Sequence, residues 1–354
     1  MTQKLIHLID DDSAGGVNRM LDHLEALGES QRLDHEIVRV RRGAWSTKRF
    51  AADVIVSHVS ICWRNLPMLA SLRALNPSTP LVHVEHSYSA GFVAANEVPQ
   101  QRFYALLRAS YALFDTVIAV SQGQADWLKR RDLVNPVALR VMRPCVDLKP
   151  FFELPQRSAS NPTVVGMLGR LDRQKGFDIG ITAFCQGAPD NMVLHIYGDG
   201  PERARLEALA CGHPRVRFMG FAAKPAEAMA QCDVITMPSR WEPFGLVGLE
   251  AQAAGRPLIC SGADGLIDHR AGEALVIPGH SVSSWAETFA LLDKTDLARR
   301  ALCGRRHARA HAERFDTEWR MLVHLLTVGN LSGDLVRGKT APADPKSLSI
   351  QAAH

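Results

Sequence analysis

Cysteine gives this chain no framework. Its seven cysteines are odd in number and scattered from Cys62 to Cys303, and none forms a C-x-x-C. That excludes a disulfide scaffold and a cysteine zinc site, and it fits small buried hydrophobes in a reducing compartment. Long apolar runs are missing too. No stretch approaches the ~20 residues that span a bilayer, and the N-terminus enters a strand at once, without a signal-peptide pattern. Charge of one sign is not in excess: 41 basic against 37 acidic residues leave +4, too mild to imply a nucleic-acid partner. No solenoid repeat is visible. A cytoplasmic protein is expected, with peripheral attachment at the inner face of the plasma membrane left open.

What is present is an ordinary globular composition, 46% hydrophobic and 22% charged, over 354 residues. That length suits two domains. Short apolar runs at 4–9, 36–40, 54–59, 81–84, 116–120 and 137–142 alternate with helical patterns at 17–27, 66–75, 98–114 and 122–130, which predicts a parallel, doubly wound α/β sheet. Ser121 is placed to cap the last of these helices. The 98–114 pattern mixes arginines with aromatics and either packs on the sheet or lies on an anionic surface. Residues 149–162, rich in Pro, Ser and Asn, form a linker between a first domain (1–148) and a second (163–330). Strands at 163–168, 193–197, 216–219, 234–237 and 258–260 alternate with helices in the second domain. Helices at 283–292, 296–309 and 317–326 close it, and 331–354 is expected to be a mobile tail.

The chain is organised around Ser239 to Ala251. A buried strand ends at Met237, Pro238 and Pro243 break the chain, Gly245 permits close backbone approach, and a helix begins at Leu246. Free N–H groups and the helix dipole there favour an anion. Glu242 and Glu250 bracket the loop with E-x7-E spacing. Acidic residues near a helix start often do no more than complement its dipole. A second strand–turn–helix, Gly166 to Asp178, carries Arg170 and Lys175, a planar fork and a mobile charge suited to phosphate oxygens. Gly15 and Gly16 follow the first strand. Asp10 to Asp12 are expected to solvate and cap that turn rather than hold a metal. His86 ends the fourth apolar run, at the sheet edge where sites form, though such a histidine is often structural.

Together the E-x7-E loop, Gly169-Arg170-Leu171 with Lys175-Gly176, and the turn Tyr197 to Pro201 resemble the retaining GT-B glycosyltransferases of family 4. The resemblance covers roughly residues 1–330. It implies two facing Rossmann-like domains, a nucleoside diphosphate sugar as donor, and a saccharide or lipid-linked acceptor, with no metal. It further implies Arg170 and Lys175 at the diphosphate with the backbone around Phe244, Gly245 and Leu246, Glu250 at the ribose, and Glu242 and His86 at the sugar. Gly15, Gly16 and Arg19 fall in the G-G-x-x-R segment beside donor phosphate and acceptor, and Gly220-Phe221 borders the base. Arg143 to Asp147 departs from the family's N-G-V-D segment. Two rival expectations keep the fold: a non-catalytic nucleotide-sugar-binding subunit, or a sugar-nucleotide epimerase.

Overall fold

The computed structural model describes residues 2–12, 15–44, 48–157, 163–292 and 295–329. The first sheet holds β1 (Gln3–Ile9), β2 (Leu33–Arg39), β3 (Val54–Ser57), β4 (Leu81–Glu85), β5 (Thr116–Ala119) and β6 (Leu139–Val141), in the order β2-β1-β3-β4-β5-β6. The second holds β7 (Val164–Leu168), β8 (Val193–Tyr197), β9 (Val216–Gly220), β10 (Val234–Met237), β11 (Leu258–Ser261) and β12 (Leu275–Ile277), in the order β12-β11-β10-β7-β8-β9. Every ladder is parallel. This is the GT-B arrangement expected. Strands buried on both faces explain the unbroken apolar runs: β3, β4, β10 and β11 are buried along their whole length.

Strand order reverses between β1 and β3 in one sheet and between β7 and β10 in the other. Crevices open at such points, beyond the carboxyl ends of the strands. The loops after β1, β7 and β10 are those singled out in the sequence.

The helices run α1 (Gly16–Gln31), α2 (Leu66–Leu75), α3 (Ala90–Ala95), α4 (Gln100–Tyr111), α5 (Gln122–Arg130), α6 (Lys149–Phe152), α7 (Phe177–Gly187), α8 (Arg203–Ala210), α9 (Pro225–Ala230), α10 (Leu246–Ala253), α11 (Val282–Ala290) and α12 (Leu297–Gly329). Ser121 caps α5 by accepting from the Gln124 amide at 3.2 Å. The α4 helix packs on the sheet: Tyr104, Leu106, Leu107 and Tyr111 are buried, and Arg108 donates to the carbonyls of Arg131 and Asp132.

Three expectations change. The two helices expected at 296–309 and 317–326 are one helix, α12, because the stretch between them is not a break: its His311 and Phe315 are buried and carry the packed face on from one domain to the other. Its Ala308 lies with the second domain's Leu249 and Leu258, and its Phe315, Trp319 and Val323 with the first domain's Leu5 and Val56, in one continuous core. The expected linker begins with α6, whose Phe151 is buried in that core; residues 158–162 and the expected tail at 331–354 lie outside the described residues. The loop after β11 is a 3-10 helix, Asp264–Gly272.

Candidate active site

At the start of α10, Gly245 has φ +89, and a Cβ there would meet Leu266 at 2.6 Å. The His269 Nε2 lies 3.1 Å from the carbonyls of both Phe244 and Gly245, so the loop is braced from below. Burial keeps the His269 imidazole near pKa 4, and a neutral ring can give one N–H to this pair. The Phe244 side chain is buried against His269 and His311; only its backbone is left to meet a ligand.

The two glutamates meet cations from different parts of the chain. Lys175 Nζ lies 2.5 Å from Glu242 Oε2. Arg19, from α1 of the first domain, puts Nη1 2.6 Å from Glu250 Oε1. Glu250 is 1% exposed, and with Arg19 on Oε1 its Oε2 has no donor. Burial raises its pKa against the pull of Arg19. A buried carboxylate with open acceptor positions is costly unless something fills them.

Gly16 explains how the domains approach. A Cβ there would lie 2.8 Å from Leu246 Cδ1, so the glycine turn after β1 meets the α10 N-terminus directly. Gly15 is the α1 N-cap, in extended conformation. His86, just past β4, is half-buried and bonds His58 through Nε2 at 2.9 Å. Burial lowers its pKa to about 4.

Other sequence-selected residues stand apart. Arg170 is 70% exposed, with its guanidinium on Asp172 at 2.6 Å rather than beside Lys175. Gly220 ends β9 with φ +79, and Phe221 is 69% exposed on the surface beyond it. Asp10 is fully engaged by Ser60, Asn65 and Arg42. Glu85 accepts from the Ser87 and Tyr88 amides and the Tyr111 hydroxyl, which makes it a turn-holding residue. Among the described residues no group of His, Cys, Asp and Glu is arranged to hold a metal ion.

Sequence reasoning missed Asp264. This residue, at φ +43, accepts from Ser89 Oγ (2.7 Å), the Gly91 amide (2.8 Å) and the Glu242 amide (3.2 Å). It ties the start of α3 in the first domain to the glutamate loop in the second. Burial raises its pKa against these hydrogen bonds. The Asp264-Gly265 pair was its only sequence signal, since such dipeptides favour left-handed turns. Arg143, in the segment that departs from the family pattern, makes a second tie, 2.6 Å from Asp268. Beside Asp264 and the Arg240 loop, a cavity of about 880 Å³ opens between α3 and the first turns of α7 and α11.

The family model described as Glycosyltransferase Family 4 matches residues 29–150, and that described as Glycosyl transferases group 1 matches 162–293. The D-inositol 3-phosphate glycosyltransferase of Saccharomonospora viridis is 28% identical over 272 residues, covering 68% of this chain and 62% of that protein. The chain thus spans about three fifths of the length of the curated relatives it matches. Among solved structures, sucrose-phosphate synthase from Thermosynechococcus elongatus superposes with a TM-score of 0.74 at 21% identity, covering 92% of this chain and 100% of that one. Anabaena HepE in complex with UDP gives 0.67 at 19%, covering 93% and 100%. With one model on each domain and the same two-sheet fold in these structures, the chain belongs to glycosyltransferase family 4, the group 1 glycosyl transferases.

Proposed function

We propose that the protein is a retaining glycosyltransferase that moves a sugar from a nucleoside diphosphate sugar, UDP- or GDP-linked, to a saccharide or lipid-linked acceptor, without a metal. The observation that carries this reading is the pair of glutamates on one loop and helix, each facing a cation, where the crevices of both sheets meet.

Departure of the nucleoside diphosphate builds negative charge. Lys175 and the free amides of α10 would stabilise it, joined by Arg170 turning from Asp172. A diphosphate would compete with Glu242 for Lys175 and release that carboxylate to the sugar hydroxyls. Glu250, with Arg19 on Oε1 and no donor on Oε2, suits the ribose hydroxyls. His86 reaches the sugar from the first domain. Retaining glycosidases use a carboxylate nucleophile; here Glu242 and Glu250 are assigned to binding, and the leaving phosphate takes the acceptor's proton on the same face. Closure held by Asp264 excludes water. We place the activity in cell-surface polysaccharide or exopolysaccharide assembly, at the cytoplasmic side. No helix among the described residues is long and apolar enough to cross a membrane, so contact with a lipid-linked acceptor would be peripheral.

Thermal unfolding with UDP, GDP and ADP sugars, without and then with metal, tests this. Ligand at 100 times its dissociation constant adds roughly 2.7 kcal/mol. UDP sugars come first because HepE holds UDP. A metal-free shift with one sugar nucleotide, lost in Glu250→Ala, is expected. A shift that survives Glu250→Ala and Lys175→Ala places the ligand elsewhere and refutes the site.

A further inference from the structure

Four histidines cross the first sheet in a line. His35 Nδ1 lies 2.8 Å from His7 Nε2, His7 Nδ1 lies 2.9 Å from His58 Nε2, and His58 Nδ1 lies 2.9 Å from His86 Nε2. The rings stack in sequence, with centroids 5.1 to 5.2 Å apart. The register explains the line. His35 on β2 pairs with Leu5, two residues before His7; His7 on β1 pairs with Val56, two before His58; Ser57 on β3 pairs with His83, which sets His86 one such step beyond His58. Steps of two keep all four rings on one face. His7 and His58 are buried, and burial holds every imidazole of the line below its usual pKa: His35 and His86 at about 4, and His7 and His58 well below the ordinary histidine value. At neutral pH all four are uncharged.

The protons can then be counted. Four neutral imidazoles carry one N–H each. Three of these fill the three contacts between rings. The fourth must sit at one end, on His86 Nδ1 or on His35 Nε2, and every ring in the line takes the matching tautomer. The two ends are not equivalent. His35 Nε2 is buried with no partner. Trp319 packs edge-on to His7 and His35, and its indole N–H is also buried without an acceptor. A second orphaned donor there is the unfavourable choice, because a buried N–H without an acceptor costs its desolvation in full, and the neighbouring indole offers a donor and no acceptor. The other end, at the sheet's carboxyl edge, is only partly buried, and His86 Nδ1 has no hydrogen bond within the described residues.

We propose that His58, His7 and His35 are positioning residues that fix His86 as a hydrogen-bond donor at Nδ1, offered to a hydroxyl or phosphate oxygen of the bound sugar nucleotide. The ligand class rests on the function proposed above; the donor polarity does not. Reversing it would require all four rings to change tautomer together and would leave an N–H buried beside Trp319. His86 therefore serves this site as a donor and not as a base.

Nitrogen-15 NMR of histidine-labelled, ligand-free protein at neutral pH reads each tautomer directly. The Nδ1–H form is expected to predominate at His86, His58, His7 and His35 alike. A His86 ring in the Nε2–H form, or unmatched tautomers along the line, overturns the proposal, whatever the donor experiments give. A second measurement moves only the far end. Trp319→Ala admits water to His35 Nε2, so the folded variant should show the Nε2–H form rising at His86, a residue Trp319 does not stack on. An unchanged His86 in folded Trp319→Ala protein refutes the role of the buried end. If that variant does not fold, the wild-type tautomers alone decide.

Discussion

Mild acid should unfold this protein through its histidines. His35, His86 and His269 are held by burial to about 4, and His311 to about 3. An unfolded histidine titrates near 6.5. Each of these groups is neutral in both states above that value and costs nothing there. As the pH falls below it, the unfolded chain takes up protons that the folded chain refuses, and stability falls until the folded values are reached. At about pH 5.5 the loss is about 1.4 kcal/mol for each group, or about 5–6 kcal/mol for the four. That rivals the whole net stability of an ordinary domain, about 5–15 kcal/mol. Glu250 and Asp264, whose pKa values burial raises, act in the opposite direction, but two carboxylates do not offset four imidazoles so far above their range. The assay is urea unfolding at about pH 7.5 and about pH 5.5, where the midpoint should drop by several kcal/mol equivalents at constant slope. Equal midpoints would refute the reasoning: these rings would then be protonating inside the fold at their ordinary value.

Other perturbations separate chemistry from architecture. Lys175→Ala should lower turnover by about 2.7–4 kcal/mol equivalents, the usual cost of one oxyanion-type donor, while circular dichroism stays unchanged; an unaltered rate would remove Lys175 from the diphosphate site. Asp264→Asn leaves one acceptor oxygen where the carboxylate receives Ser89, Gly91 and Glu242, so the cleft should open, seen as a larger radius of gyration in solution scattering. Gly176→Ala would place a Cβ 2.1 Å from the Pro238 carbonyl at φ +64, and a loss above about 1 kcal/mol is expected in chemical denaturation.

The strands were legible because parallel sheets with helices on both faces bury each strand twice, and Val54 to Ser57 or Val234 to Met237 stand out as short apolar runs. The loops after β7 and β10 were legible because glycine and proline mark where the chain must turn. What stayed hidden depends on contacts between distant segments. Asp264 is a loop aspartate until α3 lies against it. His7, His35, His58 and His86 sit on or just past four different strands, and only the two-residue stagger of the register aligns them. The single α12 was divided because its apolar stripe changes partner where it leaves one sheet for the other. Arg170 was right as a basic turn residue, but the position of its exposed side chain on Asp172 follows from local charge that spacing does not encode.

The long helix also sets a schedule. Phe315, Trp319 and Val323 cover the face of the first sheet on which Leu5 and Val56 lie, and Thr327 accepts a hydrogen bond from Gln3 at 2.7 Å. During vectorial synthesis, the strands of the first sheet must wait for α12 before that face is sealed. The N-terminal half would emerge with an apolar surface exposed and its histidine line wet, and would become dry only when the C-terminal segment swings back. A stalled or shortened product lacking residues beyond about 310 should therefore behave as an open sheet that chaperones recognise, not as a finished first domain joined to an unfinished second.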